Sequence, residues 1–312
     1  MKTNIPERIA ALREAMRQQK VDAYIIPSSD PHLSEYPADR WKSREWISGF
    51  TGSAGTIVVT ADKAGLWTDS RYFLQAASQL EGSGIELYKL ALPETPSITE
   101  FLLHELHAGQ AVGLDGQTYS AAEASALANK LSRKEIKLDT SADLIEGIWK
   151  DRPAVPGNPI FEMPEALSGA SVHEKLELIN NQLRSEGADC LILAALDEIA
   201  WTFNIRGTDV TYNPGRSQLR LRIGGRERAF HQAGEADRRD HRAFEERRGY
   251  AGRILHDPEV SVPPTGKQPG IRGYEQDERL LIRCDPGKLY DRGRDLPRQS
   301  LEEHQERDRD QG

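Results

Sequence analysis

Pro6-Glu-Arg-Ile-Ala-Ala-Leu-Arg-Glu-Ala-Met-Arg-Gln-Gln19, followed almost at once by Val21-Asp-Ala-Tyr-Ile-Ile26, sets the reading of the fold. Ile9, Leu12 and Met16 recur at helical spacing, so the first segment is read as an amphipathic helix. The second segment is a short apolar run closed by Pro27 and the polar Ser28-Ser29-Asp30, which reads as a strand. The alternation continues outward. Strands are expected at Thr56–Thr60, Gly65–Thr68, Ile85–Leu90 and Ala111–Leu114. Helices are expected at Arg71–Leu80, capped by Asp69 or Ser70, at Ile98–His107, and at Ser120–Leu131. Helices alternating with strands imply a layered α/β domain.

Asp151-Arg-Pro-Ala-Val-Pro-Gly-Asn-Pro159 holds three prolines in nine residues and reads as a linker. It sets the expected domain limits: a first domain at 1–152, then linker and the first part of a second domain at 153–214. In that second part a helix is expected at Ser171–Ser185, with Glu174 completing a capping box on Ser171, and a strand at Asp189–Ala194. The two parts echo each other. Leu12–Gly49 runs helix, Val21-Asp-Ala strand, polar turn and Trp46; Leu176–Gly207 runs helix, Ala188-Asp-Cys strand, polar turn and Trp201. This pattern is read as two copies of one fold.

The composition, 38% hydrophobic and 29% charged, fits a protein with a core. A net charge of −8 argues against a nucleic-acid partner. The isolated Cys190 and Cys284 form no disulfide framework, which fits a reducing, cytoplasmic setting. Met1–Lys20 carries no apolar core of a signal peptide, and no stretch approaches the roughly 18 apolar residues of a membrane span, so no membrane partner is expected.

Three stretches carry a family resemblance. They are Ile25-Ile-Pro-Ser-Ser-Asp-Pro-His-Leu-Ser-Glu-Tyr36 with Ser48-Gly-Phe-Thr-Gly-Ser-Ala-Gly-Thr56; Leu66-Trp-Thr-Asp-Ser-Arg-Tyr-Phe-Leu-Gln-Ala76; and Asp197-Glu-Ile-Ala-Trp-Thr-Phe-Asn-Ile-Arg-Gly-Thr-Asp-Val210 with Asn213-Pro214. In order and spacing, residues 1–214 resemble the two N-terminal creatinase-like domains of the aminopeptidase P family. The resemblance implies a mixed, ribonuclease H-like sheet flanked by helices, followed by an incomplete second copy. It also implies an enzyme that removes the first residue of peptides with proline second, working as a homodimer. The family's chemistry belongs to a C-terminal "pita-bread" domain, where two Asp, one His and two Glu hold a pair of divalent ions, manganese by expectation. Such a pair supplies a bridging hydroxide and polarises the carbonyl. None of those ligands is assigned here, so the expectation is a chain with no catalytic or metal residues of its own. A non-catalytic peptide-binding module of the aminopeptidase-like type is the alternative.

Arg71, Trp67 and His32 are the substrate-facing candidates. For Arg71 the other reading is a turn-holding pair with Asp69, for Trp67 a core position, and for His32 a polar cluster with Glu35 and Tyr36. His104-Glu-Leu-His107 lacks the i, i+4 histidine spacing of a zinc helix and reads as surface. Gly49, Gly52 and Gly55 lack the Gly-Lys-Ser/Thr ending of a phosphate loop and read as tight turns.

The sequence changes character after Pro214. Residues 1–214 hold 10 Arg and 10 Lys, whereas 215–312 hold 19 Arg and 2 Lys of the chain's 41 basic residues. One coding of Gly215-Arg-Ser-Gln-Leu-Arg-Leu-Arg-Ile223, read one base later, gives Val-Ala-Val-Ser-Tyr-Ala-Phe-Val, which resembles the family's continuation. The same shift over Arg298–Gln311 permits Pro-Val-Asn-Leu-Leu-Lys-Ser-Ile-Lys-Asn-Ala-Thr-Glu-Ile. Residues 215–312 are therefore expected to be out of frame and disordered, leaving Asp189–Ala194 as an exposed apolar edge.

Overall fold

In the computed structural model, the structure describes residues 5–141, 143–188 and 190–210, with three further strands at 221–223, 280–285 and 288–290. The first unit runs α1 (Ile5–Gln19), β1 (Ala23–Ile26), α2 (Ser43–Ser48), β2 (Thr56–Thr60), β3 (Ala64–Thr68), α3 (Phe73–Gln79), β4 (Glu86–Lys89), α4 (Ile98–Glu105), β5 (Ala111–Leu114), α5 (Ala121–Ser132), β6 (Lys137–Asp139) and α6 (Leu144–Ile148). Its sheet has the order β4-β3-β2-β1-β5-β6. β2 is antiparallel to β1 and β3, while the β1–β5, β3–β4 and β5–β6 pairs are parallel. This is the mixed sheet that the resemblance implied.

Both faces of the sheet are buried, so β1 is apolar throughout rather than alternating. Its period of two still sorts the side chains. Tyr24 and Ile26 join Ile9, Leu12, Met16, Ile47 and Leu144 on the face covered by α1, α2 and α6. Ala23 and Ile25 join Val58, Phe101, Leu102 and Leu131 on the face covered by α4 and α5.

Asp69 opens the turn after β3 as expected, accepting from the Arg71 amide, but residues Ser70–Tyr72 form a 3-10 turn before α3 starts. α4, α5 and α8 each begin in a capping box, at Ser97/Glu100, Ser120/Glu123 and Ser171/Glu174. Substituting Ser171→Ala removes the acceptor for the Glu174 amide. It is expected to cost about 1 kcal/mol, read as a lower denaturation midpoint of the second unit.

That second unit runs β7 (Phe161–Glu162), α7 (Glu165–Ser168), α8 (Val172–Glu186), β8 (Cys190–Leu193), α9 (Leu196–Thr202) and β9 (Ile205–Arg206). The echo read from the sequence extends to individual interactions. Arg8, in the first turn of α1, donates to the Trp46 carbonyl and lies 4.3 Å over the Trp46 ring. Lys175, in the first turn of α8, donates to the Trp201 carbonyl at 2.8 Å and lies 4.4 Å over the Trp201 ring. Lys20 after α1 and Gly187 after α8 both take φ +57°, the left-handed turn that sends the chain back into β1 or β8. Gly49 and Asn204, each three residues after its tryptophan, are left-handed too, at φ +73° and +50°.

The described strands correct one expectation. β8 does not present a bare edge: β10 (Leu221–Ile223) and β11 (Leu280–Asp285) pair antiparallel on either side of it, and β12 (Lys288–Tyr290) adds to β11. Backbone pairing satisfies the exposed ladder groups, while Leu191 and Leu193 are buried at 6% and 3% exposure. Apart from those strands, the expected disorder of 215–312 lies outside the described residues.

Candidate functional site

β1, β3, β4, β5 and β6 all point the same way, so the segments that leave them gather at one end of the sheet. Open α/β sheets bind their ligands beyond the carboxyl ends of the strands, because the diverging loops leave a crevice there. All three of the sequence-derived site residues lie at that end: His32 after β1, Trp67 within the last turn of β3, and Arg71 just beyond it.

The loop after β1 is held by its own polar side chains. Ser28 donates to the Gly55 carbonyl and Ser29 to the Thr118 carbonyl, each at 2.5 Å. Asp30 is fully buried, and its Oδ1 accepts from the amides of His32 and Ser34, both at 2.9 Å. The turn so fixed brings His32 to the second unit. Its Nδ1 meets the Ala194 carbonyl at 2.7 Å, at the end of β8 in the second unit. Beside that bond, Ala38 and Trp41 pack on Leu196 and Val210. The geometry thus places His32 in the contact between units, where 7% of it is exposed.

Trp67 also faces inward, which corrects its place among the substrate-facing candidates. It is 1% exposed, stacks on Tyr88 at 4.0 Å and 3°, and meets Phe101 edge-on at 5.0 Å. Its Nε1–H donates to the Pro96 carbonyl at 2.8 Å. An indole with a buried face and a satisfied donor has nothing left to offer a ligand.

Arg71 is the exposed one, with 62% of its side chain in solvent. Its Nε and Nη2 reach the two oxygens of Asp69 at 2.9 and 2.8 Å, a bidentate fork. The guanidinium also lies 5.2 Å over the Tyr72 ring, whose hydroxyl meets Ser53 Oγ at 2.8 Å. Hydrogen bonding from Arg71 holds the Asp69 carboxyl below the usual carboxylate range, and Asp69, with help from Glu35, raises the guanidinium pKa. Leu74, three residues on in α3, is 89% exposed, and Tyr36, next to Glu35 in sequence, is 54% exposed. Both readings of Arg71 therefore meet in one place. It holds the turn with Asp69 and presents a fixed cation to the outside.

Sequence reasoning missed a small recess of about 20 Å³, room for a water, beyond β1 and β5, lined among others by Ser29, Trp41, Ser43, Asp115 and Thr118. Burial raises the pKa of Asp115, opposed by the Gln117 amide. The signal available was slight: Asp115 and Thr118 look like an ordinary turn. Among the described residues there is no group of three or more His, Cys, Asp or Glu side chains placed to hold a metal. His104 pairs with Glu105 at 3.0 Å and His173 with Glu177 at 3.4 Å; both histidines are exposed, and the Glu105 side chain is mostly buried.

Two sequence profiles, both described as "Creatinase/Prolidase N-terminal domain", match residues 8–148 and 151–216. The chain belongs to the creatinase/prolidase N-terminal family. The profiles meet just before the proline-rich linker, and each covers one copy of the repeated unit. A probable Xaa-Pro aminopeptidase P of Laccaria bicolor is 40% identical over 213 residues, which is 68% of this chain and 33% of that protein. The corresponding Coprinopsis cinerea protein is 41% identical over 210 residues, 67% of this chain and 34% of its own length. The chain thus spans about a third of the length of the curated relatives it matches. Among solved structures it is similar to the X-prolyl aminopeptidase of Caenorhabditis elegans, described as a cytosolic enzyme with a di-nuclear active site. The TM-score is 0.72 at 30% identity, covering 79% of this chain and 42% of that one. Among the described residues no helix is long and apolar enough to cross a membrane.

Proposed function

We propose that this creatinase/prolidase N-terminal pair is the front part of a cytoplasmic Xaa-Pro aminopeptidase. In this reading its carboxyl-end face, with Arg71 at the centre, borders the path of the peptide substrate. The observation that supports it most is the match itself: about 210 residues in unbroken order to the first third of Xaa-Pro aminopeptidases P. Hydrolysis then belongs to a domain outside the matched region, where a pair of divalent ions, manganese by expectation, activates water and polarises the scissile carbonyl. The residues here orient rather than react. A cation already fixed by Asp69 meets a peptide carboxylate or carbonyl with little loss of side-chain entropy. His32 and the Ala38–Leu196–Val210 contact set the angle at which the two units stand, and so where Arg71 points. Dimerisation, as the family resemblance implies, is part of the same proposal.

The test is a chimera in which residues 1–214 replace the matching third of the Laccaria bicolor relative. It is expected to release the first residue from an Arg-Pro-Pro peptide. In it, Arg71→Ala is expected to change stability by less than about 0.5 kcal/mol, since the ion pair is exposed. The same substitution should raise KM several-fold. A folded but inactive chimera contradicts the assignment, and an unchanged KM contradicts the role of Arg71.

A further inference from the structure

We infer that the surface around Arg71 selects by charge: it takes a peptide carbonyl, from a chain that runs on or ends in an amide, and disfavours a free C-terminal carboxylate. Asp69 and Glu35 are the residues that set this preference. The inference rests on the reading of Arg71 as a substrate contact.

Arg71 meets a ligand already paired. Its Nε and Nη2 donate to the two oxygens of Asp69, the side-on fork by which a guanidinium grips a carboxylate. Asp69 is itself fixed, because its Oδ1 also accepts from the Arg71 amide at 3.1 Å and caps the turn. The Tyr72 ring lies under the guanidinium at 5.2 Å, and its hydroxyl is tied to Ser53 Oγ. With one edge and one face occupied, a ligand is left the Nη1 side.

The charge there is more than matched. Among the described residues, the charges that act on the guanidinium are carboxylates, Asp69 foremost and Glu35 behind it. Hydrogen bonding from Arg71 lowers the Asp69 pKa, so Asp69 is ionised at neutral pH. Glu35 is exposed, and 35% of the Asp69 side chain is in solvent, so neither charge is hidden from a ligand. One cation thus stands against two anions. A neutral carbonyl loses nothing by this, since it needs an N–H donor and no net charge. A carboxylate finds the same donor but also two like charges, and such repulsion sets specificity more than raw affinity. At an exposed site it is modest and screened by salt, so the selection is several-fold and not absolute.

The test compares Arg-Pro-Pro with Arg-Pro-Pro-amide in the chimera carrying residues 1–214. KM for the free acid is expected to exceed that for the amide by about threefold or more, and the ratio to shrink as salt is raised. Asp69→Asn keeps an acceptor for the Arg71 amide but removes the charge, and Glu35→Gln removes the other charge from an exposed side chain. Each is expected to bring the ratio towards one, whereas a merely structural role for either residue would move both KM values together. An inactive chimera, or an amide KM that ignores Arg71→Ala, overturns the substrate-contact reading and this inference with it. An active chimera whose KM responds to Arg71→Ala, but whose acid-to-amide ratio is already one or ignores both charge-removing variants, overturns this inference alone.

Discussion

Trp67→Ala lowers the stability of the first unit by about 4 kcal/mol, within the roughly 3–5 kcal/mol range for a buried tryptophan cut to alanine. Three losses add up. The indole leaves a cavity in a core where Trp67 is 1% exposed. The Tyr88 stack and the edge contact with Phe101 lose their shared ring. The Pro96 carbonyl loses its donor at 2.8 Å. Gly65 shows how closely this cluster is packed: a Cβ there would come within 2.6 Å of the Tyr88 ring and 2.8 Å of Trp67. Denaturant unfolding followed by near-ultraviolet circular dichroism reads the effect. Trp67→Phe, which keeps most of the apolar volume, is expected to lose less than half as much. A Trp67→Ala protein within 1 kcal/mol of the parent would return the residue to the list of surface candidates.

Arg152→Ala is the second large effect, at about 3 kcal/mol. Only 3% of this side chain is exposed, and it sits among Asp143, Glu146 at 2.8 Å, Ser43 at 3.4 Å and the Arg40 carbonyl at 3.0 Å. Removing one member of a buried ion pair strands the other, here Asp143, which also caps α6 through the amides of Ile145 and Glu146. Arg40 reaches the same place, bonding Glu146 at 2.9 Å and the Pro153 carbonyl at 3.1 Å. These contacts bolt the start of the linker to the first unit. Loss of Arg152 is therefore expected both to lower the unfolding midpoint and to speed proteolysis within 153–159 about tenfold. Arg152→Lys is expected to restore only part, because an ammonium cannot make the forked contacts. Unchanged linker cleavage in a destabilised protein would separate the two roles.

Most of the first unit was legible because its strands are β-branched or aliphatic runs with polar stops. Thr56–Thr60 and Ala111–Leu114 were read to the residue from that pattern. What escaped was short or lacked a period. Lys137–Asp139 is three residues at a sheet edge, and α6 is five residues with Gly147 inside it, so neither shows a pattern long enough to count. Arg152 looked like solvated linker beside Pro153, yet tertiary contacts with residues more than a hundred positions earlier bury it. The site was legible in residue choice more than in role. All three candidates lie at the carboxyl end of the sheet, but only Arg71 faces out. His32 is claimed by a carbonyl 162 residues away, a pairing with no local signature. The repeat was visible as sparse identities, whereas the matching Arg8–Trp46 and Lys175–Trp201 contacts required the fold.

The most direct test of the account is an activity measurement on the 312-residue chain itself. Pure protein is incubated with Arg-Pro-Pro peptide and manganese, beside the chimera carrying residues 1–214. The account predicts free arginine from the chimera and none from the chain, since it assigns positioning to the matched units and hydrolysis to a domain outside them. Metal-dependent release of arginine by the chain alone would contradict it.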